Sequence, residues 1–225
     1  MSKKSRVRYF ESFEDDFFQS GEKHRVSNDY RWIRDDIFSR FLSVVIYTLE
    51  LIFSNIYCRL FLRVSIKGAK KLREDKNSGF FLYANHSQPI GDIFNPALAC
   101  FPKRIYTVVS PANFALAGIG KTLYYLGALP TADSISKIKE FNSAIEQRIR
   151  CGHPIVIYPE AHLWEYYTDI RPFCKASFKY PVKLGVRAYC MTTTYSKTSF
   201  RKKPKITIYI DGPFKADTEN ANIGA

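Results

Sequence analysis

Short apolar runs alternate along this chain with segments of helical periodicity, and that alternation restricts the fold more than any other feature. Residues 64–66, 80–83, 105–109, 155–158, 186–195 and 206–210 are rich in β-branched and aromatic side chains and read as strands. Between them, Ser110-Pro111 reads as an N-cap and first helical residue of a segment reaching about Leu126. Ile135, Ile138, Phe141, Ile145 and Ile149 mark an amphipathic helix stopped at Gly152. Strands separated by helices pair in parallel, because a parallel return needs a crossover long enough to hold a helix. The expectation is one α/β domain over residues 63–225, with a mixed, largely parallel central sheet flanked by helices.

Two segments precede that domain. Residues 1–36 are polar, charged and aromatic and read as a peripheral arm; MSKKSRVRYFESFEDDFF has no apolar core, so a secretory signal is not expected. Over residues 37–62 apolar side chains recur at helical spacing, from Phe38, Phe41 and Leu42 to Ile56 and Leu60, and leave only a narrow polar face. Glu50 and Arg59 keep the uncharged runs below the ~20 residues that a bilayer crossing needs. Such a helix either lies in a membrane interface or covers the core of a soluble domain.

Composition narrows the partners. A 46% hydrophobic and 16% aromatic chain has enough apolar mass for a packed interior, which excludes disorder. A net charge of +13 favours an anionic partner: nucleic acid, an anionic membrane surface or a charged substrate. The densest basic cluster, Lys197, Arg201, Lys202, Lys203 and Lys205, suits lipid headgroups, and no nucleic-acid-binding motif accompanies it, so no nucleic acid is expected. Trp164, Tyr166 and Tyr167 suit a membrane interface or the core. Cys58, Cys100, Cys151, Cys174 and Cys190 are odd in number and widely spaced, which argues against a disulfide framework and fits a reduced cytosolic setting. His86, His153, Glu160 and His162 have no metal-site spacing, and no metal is expected.

The chemistry concentrates in FLYANHSQPIGDIFNP and IVIYPEAHLW. His86 falls just past the carboxyl end of one expected strand and Glu160 past another, where open α/β sheets bind ligands. An aspartate near a histidine can hold one ring nitrogen while the other accepts a proton, the arrangement of a general base. There is no GxSxG and no cysteine in a nucleophile motif, so attack by an activated substrate fits better than a covalent enzyme intermediate. The plainer alternative is that Asp92 caps the helix beginning at IFNPALAC and His86 bonds a neighbouring carbonyl.

These residues carry a resemblance. Asn85-His86 followed by Asp92 resembles the NHxxxxD motif of the glycerolipid acyltransferases, the family that includes lysophosphatidate acyltransferase, and Tyr158-Pro159-Glu160 resembles the start of its FPEGTR motif. Gly127-Ala128-Leu129-Pro130 is similar to the family's intermediate Gly-x-Ile-Pro block, and Arg171-Pro172-Phe173-Cys174-Lys175 to its later basic segment, so the resemblance spans roughly residues 64–213. It implies transfer of an acyl group from a thioester, on coenzyme A or acyl carrier protein, to the hydroxyl of a lysophospholipid or related lipid-like alcohol, with no bound cofactor. His86 would be the base and Asp92 its orienting partner. Asn85, Gly127, Glu160, Arg171 and Lys175 would bind substrate, with oxyanion donors near Asn85 or a helix N-terminus. The place would be the cytoplasmic side of a membrane, peripheral or monotopic.

The departures are specific. Ser87 to Gly91 make the His–Asp loop one residue longer than the family's. Ala161, His162 and Leu163 stand where the family has Gly, Thr and Arg, and Asp133 stands where the intermediate block ends in Arg. Two phosphate-binding arginines are therefore missing; Arg171, Lys175 or Lys179 would substitute, or the acceptor is another hydroxylated molecule. A relative of different class, a non-catalytic lipid-binding or scaffold protein with a degenerate site, has the same departures.

Overall fold

The computed structural model describes residues 9–13, 15, 25–27, 30–34, 36–74, 77–115, 120–173, 175–198 and 203–215. Among them, seven strands form one sheet in the order β1-β7-β6-β2-β5-β3-β4. They are β1 (Ser65–Lys67), β2 (Phe81–Ala84), β3 (Tyr106–Val109), β4 (Ala128–Pro130), β5 (Ile155–Ile157), β6 (Ala188–Ser196) and β7 (Lys205–Phe214). Strands β6, β2, β5, β3 and β4 are mutually parallel, whereas β7 runs antiparallel to β6 and carries β1 parallel to itself. The expected mixed, largely parallel sheet is present. The carboxyl ends of β2, β5 and β6 and the start of β1 consequently share one end of the sheet.

Alternation along β2 divides the interior. Leu82 and Ala84 face a core cluster built with Tyr47, Ala97 and Val156, while Phe81 and Tyr83 face a second one built with Phe141, Ile145 and Ile149. The first lies under α1 (Ile37–Ile56) and α2 (Gly91–Cys100), the second under α4 (Ile135–Arg150), which ends just before Gly152 as its periodicity predicts.

Two local expectations change. The Gly-x-Leu-Pro block forms β4, an edge strand too short for its pattern to register, in which Trp32 Nε1 donates to the Pro130 carbonyl at 2.9 Å. The segment begun by Ser110-Pro111 is not one helix: Pro111–Ala115 forms a 3-10 turn and α3 only Gly120–Leu123, residues 116–119 lying outside the described set.

The N-terminal segment is not merely peripheral. Val26 and Trp32 are buried in the second cluster, and Tyr30 and Ile33 pack against it. Asp133, at the place of a family arginine, instead accepts the Val26 N–H at 3.0 Å and pairs with Lys137 at 3.3 Å. The arm's apolar residues are isolated among charges in sequence, which hid their common face.

Asp36 Oδ1 accepts the Ser39 N–H at 2.7 Å and starts α1, whose last turn widens into a π-helical stretch, Tyr57–Leu62. Tyr47, Ser54 and Cys58 line the side turned to the body, and Ser54 Oγ satisfies Glu50 Oε1 at 2.6 Å. The opposite side leaves Phe38, Phe41, Leu49, Ile52, Phe53 and Leu60 exposed, and Ile90 and Ile93 at the start of α2 are exposed as well. By length and composition the helix over residues 37–62 could also cross a membrane, despite the charges that count against it in sequence.

Candidate active site

Strand β2 delivers Asn85 and His86 past its carboxyl end. Asn85 extends the sheet with its side chain: Oδ1 accepts the Thr193 N–H at 2.8 Å and Nδ2 donates to the Thr193 carbonyl at 3.1 Å, mimicking one more rung between β2 and β6. Its amide is thereby spent on the backbone of β6.

The loop from Ser87 to Gly91 closes around Asp92. One carboxylate oxygen, Oδ2, accepts from His86 Nδ1 and from the Ser87 and Gln88 amides, each at 2.9 Å, and the Asp92 N–H returns to the Gln88 carbonyl at 3.0 Å. Asp92 is thus in the first turn of α2, not at its N-cap, and it orders the loop from inside. All five intervening residues fit within this closure. The Gln88 side chain is buried and accepts from Asn95 Nδ2 at 3.0 Å, and a Cβ on Gly91 would stand 1.9 Å from Gln88 Oε1. Any larger residue would force the buried Gln88 amide to move.

Helix α2 contains Pro96, which lacks the N–H that would bond the carbonyl four residues back. That carbonyl belongs to Asp92, and the Tyr158 hydroxyl donates to it at 2.6 Å. Burial holds the Tyr158 phenol well above its usual pKa, so it remains a donor. Its ring lies 4.5 Å from the His86 ring, tilted by 30°. The sequence signal was available: a proline inside a helix frees a carbonyl, and a tyrosine replaces the family's phenylalanine.

Glu160 and Arg171 clamp the His86 peptide from both sides. Glu160 Oε2 accepts the His86 N–H at 3.0 Å, and Arg171 Nη2 donates to the His86 carbonyl at 3.1 Å, to Glu160 and to the His162 carbonyl. Arg171 is 2% exposed, and its ion pair with Glu160 is buried. Ala161 has φ 62 in the turn closed by the His162 N–H on the Glu160 carbonyl, which is why glycine is the natural occupant of this place. The Trp164 and Tyr166 amides then bond the His86 and Ser87 carbonyls, at 3.2 and 2.7 Å.

His86 and Asp92 are therefore in direct contact, with side-chain exposures of 24% and 2%. Burial pushes the Asp92 carboxyl above its usual range, opposed by the donors from His86, Gln88 and Ser87. A carboxylate at Nδ1 fixes the tautomer whose basic lone pair is on Nε2.

The remaining site expectations sort differently. Asn85, Glu160 and Arg171 surround the dyad, where Asn85 bonds Thr193 and Ser87 while Glu160 and Arg171 bond each other and the His86 backbone. Gly127 is not gathered with them. It precedes β4 at the amino end of the sheet, in a left-handed conformation (φ 90) with the Ile105 carbonyl 2.6 Å from where a Cβ would be. Lys175 is exposed in the 3-10 turn Lys175–Phe178, and Leu163, at the place of a family arginine, is buried. His153 packs on Tyr106 beyond the start of β5, away from His86. Of the basic cluster, Arg201 and Lys202 lie outside the described residues, as does Cys174; Lys197, Lys203 and Lys205 flank the β6–β7 connection at the dyad's end of the sheet.

No protein-family model matches the chain, and no curated protein sequence does. Among solved structures, the crystal structure of PlsC, the 1-acyl-sn-glycerophosphate (LPA) acyltransferase from Thermotoga maritima, is similar to it, with a TM-score of 0.54 and 17% identity over 82% of this chain and 74% of that one. At that identity the likeness establishes a shared α/β fold.

Proposed function

We propose that this chain is a glycerolipid-type O-acyltransferase that moves a fatty acyl group from an acyl thioester to the hydroxyl of a lysophospholipid or related lipid-like alcohol. The observation that carries the reading is the 2.9 Å contact between His86 Nδ1 and Asp92 Oδ2, made across a loop one residue longer than the family motif. The PlsC-like fold supports it, since PlsC is itself an acyltransferase.

In this reading Nε2 of His86 takes the proton of the acceptor hydroxyl as its oxygen bonds to the thioester carbonyl carbon. Asp92 stabilises the imidazolium through Nδ1–H. The tetrahedral intermediate then collapses with cleavage of the C–S bond, and the departing thiolate recovers the proton from Nε2, so imidazole returns neutral and no bound cofactor is consumed. The donor is acyl-CoA or an acyl carrier protein. Leu163 is buried and Arg171 is committed to the His86 clamp, which favours an acceptor recognised by other means than the family's arginine pair.

The same geometry supports work at a membrane. The exposed apolar side of residues 37–62 and the start of α2 form one greasy surface, and the basic β6–β7 connection lies at the dyad's end of the sheet. A peripheral or monotopic seat on the anionic cytoplasmic face would bring both lipid substrates to His86.

Acyl transfer from labelled thioesters to a panel of lysolipids and alcohols tests the reading. His86→Ala should lower the rate on the order of 10²–10⁴-fold. An undiminished rate would sink the general base, and a wild type that binds lipid but transfers nothing would favour the non-catalytic relative.

A further inference from the structure

The Trp164 side chain stands between the N-terminal arm and the clamp on His86. On the arm side, the Asp15 carboxylate accepts the amides of Glu11 and Ser12, at 2.8 and 3.1 Å, and closes a small turn. That turn lays Phe10 almost flat against Trp164, ring centres 4.3 Å apart at 8°, and the Asp15 carbonyl accepts the indole N–H at 2.8 Å. Phe13 adds a second stacked ring at 5.7 Å.

On the clamp side, the Arg171 guanidinium carbon lies 4.8 Å from the centre of the same indole. The Trp164 backbone N–H and Arg171 Nη2 both donate to the His86 carbonyl, at 3.2 and 3.1 Å. Arm, indole, guanidinium and His86 peptide are linked by three consecutive contacts.

A cap would need only to shield the indole from water. This one bears on a cation anchored at one nitrogen: among the described residues, Arg171 Nε and Nη1 are buried without hydrogen-bond partners. Its hydrogen bonds among the described residues leave from Nη2, and the face of Trp164 supports the rest of the guanidinium plane.

We propose that Phe10 and the turn around it are a positioning element for His86, acting through Trp164 and Arg171 to hold the His86 peptide and aim its imidazole. The catalytic half of this inference rests on the general-base reading above. The mechanical half does not.

The experiment pairs Phe10→Ala with Phe10→Tyr, which keeps a stacking ring, in the full chain. Amide hydrogen exchange by NMR reads the His86 N–H, with Ala144 and Ile145 in α4 as the core reference. Phe10→Ala should speed exchange at His86 about tenfold and leave α4 unchanged. It should lower kcat about tenfold with KM within about twofold, because geometry rather than uniform binding is lost. Phe10→Tyr should restore both. Unchanged exchange at His86 overturns the proposal, as does a rise spread equally over α4, which marks global loosening. A wild type with no acyl transfer would remove the general-base reading, and the exchange result would then decide the coupling by itself.

Discussion

At the residue scale, the dyad is held by things that are not the dyad. Asp92 is fixed by two loop amides, by Tyr158 on its carbonyl and by the shape of Gly91 over Gln88. Asp92→Asn keeps the volume and an acceptor for the Ser87 and Gln88 amides while removing the buried charge. On the proposed general-base reading, acyl transfer should fall about 10³–10⁴-fold, whereas thermal unfolding at neutral pH should move by no more than about 2 kcal/mol. The pH response has a definite sign. Burial raises the folded-state pKa of Asp92, so the folded protein holds that proton more tightly than the unfolded chain. The wild type should therefore gain stability relative to Asp92→Asn as pH falls through the acidic range. Tyr158→Phe leaves the Asp92 carbonyl without its donor and should cost about 1–2 kcal/mol. Pro96→Ala returns the helical N–H to that carbonyl, so a double-mutant cycle should show the second change recovering stability lost to the first. Additive losses would mean that the carbonyl is satisfied in another way.

At the scale of elements, α1 is inside out relative to an ordinary surface helix. The side that faces the body is narrow, with Tyr47, Leu51 and Ser54 and then Cys58 in the π-helical stretch, and the broad apolar side faces away. Replacing Phe41, Leu49 and Phe53 with Ser should leave the fold intact and abolish flotation with anionic vesicles, while vesicles of neutral lipid should bind the wild type more weakly. Equal flotation of both proteins would place the contact elsewhere. Long periodic elements were legible in the sequence because many residues vote: the helical stripe from Phe38 and the α4 repeat of Ile138, Phe141, Ile145 and Ile149 both appear as expected. Three-residue β4 was not, because Ala128-Leu129-Pro130 is too short for either period and Pro130 argues against a strand. His86, Asp92 and Glu160 were legible as neighbours because they follow strand ends. That Glu160 and Arg171 bond the His86 backbone was not, since a sequence gives residue types and not which groups meet.

At the scale of the whole molecule, Val26, Tyr30, Trp32 and Ile33, before α1, belong to the core. Trp32 is buried and bonded to Pro130, so Trp32→Ala should lower stability by about 3–5 kcal/mol by chemical denaturation. Acyl transfer per folded molecule should change little, because β4 lies at the sheet edge remote from β2. A loss of rate without a loss of stability would mean that the far edge also shapes the dyad. The loop that closes on Asp92 has a consequence for finding relatives. What it preserves is a carboxylate held under an imidazole by two peptide amides, not the number of residues between them. A text pattern with a fixed gap passes over any chain built this way, whereas a template of ring, carboxylate and the two amides in space would retrieve it at any loop length.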